Sequence, residues 1–266
     1  MPRFARPSVF LYFLLLSFAS ISAAQQTAPV IQRDSSSLSN LSQAVAAGGV
    51  NPLALLSSGI VAKGNLKVPP AGIPGPILWE NQGAEFRHER PGPNGTIVFV
   101  SGHGNPAVID GTSIQKNIGH VAMTTLPPYL PFVALAAALS NTNVQIAAPQ
   151  QVALGSSSVI QISFVDKTDD VTSVICKQDW YFNPQTFLPV RVDFLSSEIH
   201  NALSTVKMSY VFSNYKLVSG TAIPFTVDTF TDGQQISEIT FTSVQIGAPI
   251  PSSDFDVPAT TTGGAQ

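Results

Sequence analysis

The side chains best suited to acid–base, nucleophilic or metal chemistry are few: four histidines, His88, His103, His120 and His200, and one cysteine, Cys176. The histidines are scattered, and none has a second His or Cys at ligand spacing, so no metal site is expected. Ser101-Gly-His-Gly104 could expose a histidine between glycines, but it is not a nucleophile elbow and has no orienting partner nearby in sequence. It reads as a strand-end turn. Asp166-Lys-Thr-Asp-Asp170 gathers carboxylates without the further oxygen ligands and glycine of a calcium loop, and reads as a polar hairpin turn. Cys176 lies in a strand-like run without a cluster of cationic neighbours, which fits a buried apolar residue better than a reactive thiol. A lone cysteine makes no internal disulfide, so burial alone must hold the fold. Glu85, Arg87, His88, Glu89 and Arg90 form the densest charge group; at strand spacing Arg87 and Glu89 share a solvated face, an ordinary surface. Asn40-Leu-Ser and Asn94-Gly-Thr match the glycosylation acceptor pattern. No catalytic residue and no cofactor is expected.

Composition narrows the partners. Charged residues are 11% of the 266 and the formal net charge is −3, so there is neither a basic nucleic-acid stripe nor an acidic tail. Nucleic acid is not an expected partner. Arg3 and Arg6, the apolar run Val9 to Phe18, and Ser22-Ala23-Ala24 read as a secretory signal peptide over 1–24, cleaved after Ala24. The run is too short to cross a bilayer, which takes about 20 residues. No cysteine follows the small residues, so no lipid anchor is indicated. The expected product is a periplasmic or secreted protein, not integral to the membrane after cleavage.

Any site must be positioned by the elements that follow. Residues 25–37 are polar and read as a flexible lead-in. A helix is predicted over about 38–47, capped by Ser39 or Asn40 and stopped by Gly48-Gly49. From Gly59 the period becomes that of strands: 59–68, 77–81, 84–90, 96–101 and 107–110, with turns at Pro69–Pro76 and at Pro91–Gly95. Residues 128–140 predict a second helix, apolar nearly all round and therefore buried. The alternation is then clear through Ile160, Ile162 and Phe164; Val190, Val192 and Phe194; Val206 to Phe212; Ile223, Phe225 and Val227; and Ile236 to Val244. Short turns make these strands antiparallel, in a meander. Two helices cannot cover a sheet of eight or more strands as a full layer. The expected architecture is mainly β (α+β), a strongly curved antiparallel sheet or unclosed β-barrel whose short helices cover the apolar concave face. One domain is expected over 38–257, with a disordered tail over 258–266.

The order of these pieces resembles the LolA/LolB-like lipoprotein-carrier superfamily. The residues that carry the resemblance are the helix ending in Gly48-Gly49, Ile60-Val-Ala-Lys-Gly-Asn-Leu66, Phe86-Arg-His-Glu-Arg90 and Gly102-His-Gly104. They continue in Trp180-Tyr-Phe-Asn-Pro-Gln-Thr-Phe-Leu-Pro-Val-Arg-Val-Asp193, in Tyr210 to Pro224, and in Val244 to Ile250 with Asp254 to Val257. The resemblance implies an unclosed barrel, helices plugging its mouth, and an apolar cavity for acyl chains. No position here matches the arginine that lipoprotein carriers place near that cavity, so a more general apolar ligand is expected than a lipoprotein. The expected lining is Ile160, Ile162, Phe164, Val190, Val192, Phe194, Phe225 and Val227. At any single one of these positions, plain core packing is the competing reading. The alternative function is an envelope structural or interaction module that meets a protein partner through loops such as 69–76.

Overall fold

The computed structural model describes residues 31–49, 54, 57–69, 72–83, 85–103, 105–116, 130–168, 177–198 and 201–258. The leader, Pro127 and Pro128, His120, Asp169, Asp170, Cys176, His200 and residues 259–266 lie outside the described residues.

Fourteen strands form one antiparallel sheet. Those of the first half are β1 (Ile60–Lys67), β2 (Gly75–Gln82), β3 (Glu85–Gly92), β4 (Gly95–Gly102), β5 (Asn105–Asp110) and β6 (Ser113–Lys116). The second half supplies β7 (Val144–Ile146), β8 (Gln150–Leu154), β9 (Ser157–Asp166), β10 (Gln178–Phe182), β11 (Pro189–Glu198), β12 (Asn201–Val218), β13 (Thr221–Thr231) and β14 (Gln234–Ile246). The order is β6-β5-β4-β3-β2-β1-β14-β13-β12-β11-β10-β9-β7, with β8 also on β9. The single meander expected from short turns is therefore two meanders, joined where β1 pairs with β14 from Ile60↔Ile246 to Lys67↔Glu238. Local alternation defines strands and their turn neighbours but says nothing of which distant strands meet. A Lys67–Glu238 ion pair of 2.7 Å seals that seam. β6 and β7 end the sheet without pairing to each other, so the barrel is unclosed. Bulges where β1 slips against β14 at Lys63/Gly64, and where β10 slips against β11 at Tyr181/Phe182, add local twist and bend.

Helix α1 (Ser35–Ala47) starts earlier than the period predicts, because Asp34 and not Ser39 or Asn40 is its cap. The Asp34 carboxylate accepts from the Ser36 hydroxyl and from the Ser37 N–H at 2.9 Å, which holds its pKa below the usual value. The end of the lead-in is fixed as well. Ile146 N–H donates to the Gln32 carbonyl and Asp34 N–H donates to the Ile146 carbonyl, each at 3.0 Å, pinning this segment to β7. Gly48 and Gly49 end the helix as expected. Gly49 has φ +99°, and a Cβ there would sit 1.9 Å from the Gly220 carbonyl oxygen, so only glycine fits. Ala222 N–H then donates to the Gly48 carbonyl at 2.8 Å, which ties the helix end to β13.

Helix α2 (Pro131–Ser140) begins with proline at its first position and buries Phe132, Val133, Leu135, Ala136 and Ala138. Its last turn carries no basic residue. Arg33 supplies one from outside, its guanidinium donating to the Ala138 and Leu139 carbonyls at 2.9 Å each. Both helices pack into one hydrophobic cluster with β1, β2, β7 and β9 through β14. At its centre Trp180 stacks on Phe164, Phe182 and Phe212 at centroid distances of 6.2, 6.5 and 6.2 Å. On the opposite face of the first meander a smaller cluster of Val98, Val100 and Ala107 is covered by Val257 of the C-terminal segment.

Candidate functional site

Of the predicted lining, Ile162, Phe164, Val192, Phe194, Phe225 and Val227 are buried in the helix-covered cluster, and Ile160 packs half-buried against it. Ile162 and Val227 have no exposed surface at all. Val190 departs from the expected alternation. The bulge opposite Phe182 pairs that residue with Pro189, which is buried, and leaves Val190 half-exposed outside the cluster. Val190 apart, the residues chosen by alternation are thus brought together on one face, and α1 and α2 lie over them.

The segment that carries the Leu188-Pro-Val-Arg-Val-Asp193 pattern has polar contacts on the outer face. The Arg191 guanidinium pairs with Asp193 and donates to the Ser209 hydroxyl at 3.0 Å, and the Tyr181 hydroxyl donates to Asp193 at 3.2 Å. Burial and the Asp193 charge push the Tyr181 pKa up to about 12. This network braces β10, β11 and β12 from outside.

Beyond the helix cover, the concave face continues along β3 and β4. Alternation divides the charge group of β3 between two faces. Arg87 and Glu89 lie outside and pair at 2.6 Å. Phe86, His88 and Arg90 turn inward: the His88 ring is 5.0 Å from Trp79 of the core and 4.9 Å from Phe86. His88 is buried, with its Nε2 3.4 Å from the Asn81 Oδ1, and burial lowers its pKa to about 3. Arg90 places its guanidinium 5.0 Å from the centroid of Phe99 on β4. Its side chain is open to solvent, and surrounding protein lowers its pKa.

On β12, Tyr210 lies opposite the core residue Val192 and so on the inner face, half-buried and 4.9 Å from the Phe194 ring. Burial pushes the Tyr210 pKa up to about 12 while Arg90 pulls it the other way. Along the sheet β3 and β12 are separated by β2, β1, β14 and β13. Inward-facing aromatic surface at Phe86, Phe99 and Tyr210 is left half-exposed. Sequence reading grouped His88 and Arg90 with the solvated surface of β3. The period of two that set Arg87 and Glu89 outside could have placed both of them inside.

The glycine-flanked histidine is a turn, as its sequence implied. His103 has φ 52° between β4 and β5 and lies 3.3 Å from both Glu85 and Asp256 with its ring exposed. Among the described residues no group of three or more His, Cys, Asp or Glu side chains could hold a metal ion. None of the described helices is long and apolar enough to cross a membrane.

The fold is a strongly curved, unclosed antiparallel sheet with two short helices on its concave side. It is shared with an outer membrane lipoprotein-sorting protein domain from Vibrio parahaemolyticus, at 12% identity and a TM-score of 0.52, covering 83% of this chain and 96% of that one. A DUF1329 family protein from Desulfovibrio piger matches equally well, at 9% identity and a TM-score of 0.52 over 83% of this chain and 97% of that one. A LolA superfamily protein from Nitrosomonas europaea covers the same shares at 12% identity, but its TM-score of 0.43 adds no weight. No family model and no curated protein matches the sequence.

Proposed function

We propose that this protein is an exported carrier or sensor that holds an acyl chain or a similar apolar molecule on the concave face of its sheet, without catalysing a reaction on it. The observation that carries this reading is the inward aromatic surface of Phe86, Phe99 and Tyr210, which stays half-exposed where it adjoins the helix-covered core. Contiguous apolar surface left exposed on the inner face of a sheet often marks a binding site. Ile160, Ile162, Phe164, Val192, Phe194, Phe225 and Val227 extend the seat beneath the helices, with Val190 at its rim. Export rests on the basic start, apolar run and small residues of 1–24.

Helix α2 is the element an entering chain would displace, since it is short, apolar and held at its end by Arg33. The test is native mass spectrometry of the protein purified from its own envelope, joined to titration with a fluorescent fatty acid. A stoichiometric acyl lipid or saturable probe uptake is expected. Arg33→Gln is expected to lower folding stability by roughly 1–3 kcal/mol, by leaving two carbonyls with weaker donors, and to speed probe uptake. Ligand-free protein that also refuses the probe would reject the carrier. An interaction module would then lead, favoured by Ile73 and Leu217, which are 43% and 77% exposed.

A further inference from the structure

We propose that β8 is an association edge, at which two copies of this chain pair their β8 strands antiparallel about a two-fold axis through Val152 and join their sheets into one. Its role as an edge does not depend on what the concave face holds.

β7 and β8 lie one after the other along the same side of β9, whose other side is taken by β10. The two differ in cover. Residues 32–34 run parallel to β7 and bond to both main-chain groups of Ile146, after which α1 leads the chain off the edge. β8 pairs with β9 alone among the described strands, and Gln150, Gln151 and Ala153 are exposed. At the far end of the sheet β6 is only four residues long and carries Lys116, two of the devices that blunt an edge. Within β8 there is no such device. No Asp, Glu, Lys or Arg occurs between Lys116 and Asp166, and the register of β8 on β9 runs unbroken from Gln150↔Gln161 to Leu154↔Ser157.

The main chain of β8 fixes how a partner can meet it. Leu154 pairs with Ser157 across the two-residue turn Gly155-Ser156, which makes them a hydrogen-bonded pair. Alternation then turns the main chain of Val152 towards β9 and leaves the N–H and C=O of Gln151 and Ala153 directed away from it. The Gln151 side chain donates to the Ser158 hydroxyl at 3.0 Å, which ties the open strand across to β9. A row of outward N–H and C=O groups is completed by another extended strand. Centring two copies on Val152 sets Gln151 of one against Ala153 of the other and forms about four main-chain hydrogen bonds. Val152 then faces itself at the close, non-hydrogen-bonded spacing of about 4.5 Å between Cα atoms. A strand shaped for a charged partner would carry the opposite charge. This one is neutral throughout, so meeting its own copy sets no like charges against each other.

Sedimentation velocity of the purified protein from about 10 μM to about 0.5 mM is expected to show a monomer–dimer equilibrium, weak because five residues from each copy make a small interface. Ala153→Pro removes an outward N–H and no bond to β9. It is expected to weaken association about tenfold or more while leaving the thermal midpoint unchanged. A second measurement does not need that variant to fold. In a Cys176→Ser background, Val152→Cys is expected to cross-link to its own copy under mild oxidation, because the spacing lies within disulfide reach. Leu217→Cys, at a side chain 77% exposed, is not. A monomer across the whole range, a dimer that survives in folded Ala153→Pro, or cross-linking as strong at 217 as at 152 would overturn the pairing. So would species that grow beyond a dimer, since a two-fold contact closes on itself.

Discussion

Replacing Trp180 by alanine is expected to destabilise the fold by about 3–5 kcal/mol, the range for truncating a large aromatic in a closely packed core. Trp180 is 1% exposed and its indole stacks on Phe164, Phe182 and Phe212, which come from three places in the second meander. Its indole N–H donates to the Gln178 side chain at 2.8 Å, so truncation leaves an acceptor unpaired as well as a cavity. Domains of this kind have a total stability of about 5–15 kcal/mol, so the variant would be marginal. Denaturant titration reads the loss as a shift in midpoint at constant slope. A loss below about 1 kcal/mol would mean that the space around the indole is loosely packed, contrary to the stacking described.

Acid should unfold the protein through His88. Its pKa is about 3 in the folded chain against 6.5 as a free side chain, so between these values the unfolded state binds the additional proton. A depressed histidine pKa leaves stability at its full value above pH 6.5 and removes it as pH falls towards 3. The slope of about 1.4 kcal/mol per pH unit amounts to roughly 4 kcal/mol over that window. His88→Phe keeps the ring between Trp79, Phe86 and Phe99 and removes the titration. It is expected to move the midpoint of acid unfolding down by a pH unit or more, at a modest loss near neutrality from the Asn81 contact. An acid limb identical in the two proteins would show that carboxylates, not His88, control it.

Much of the architecture was legible wherever side chains alternate against a well-defined core. Ile160 to Phe164 and Ile223 to Val227 declare their faces because one side is buried against helices and the other is wet. The short β6, β7 and β8 gave no such pattern, being too brief to show a period. Asp34 gives no cap signal because it sits in a polar run with no apolar period leading up to it. The β1–β14 seam has no local signal at all. For the candidate site the difficulty was different. Charged residues crowd β3, and charge density read as surface, although strict alternation sends Arg90 inward with Phe86. Which inner residues of distant strands come near one another depends on curvature, which follows from how many strands lie between and not from either strand's residues.

The seam between β1 and β14 also governs when the chain can finish folding. Lys67 and Glu238 are 171 residues apart, and the Thr242 hydroxyl reaches the Lys63 carbonyl across 179. Contacts of such separation slow folding, since the loop must close before the pairing rewards it. While the chain is being made, β1 and β13 each keep an unsatisfied edge until the last strand has emerged. A nascent molecule would therefore stay open to holdase chaperones almost to its final residues. For the exported carrier proposed above, which would thread a translocation channel before it collapses, that delay is an advantage.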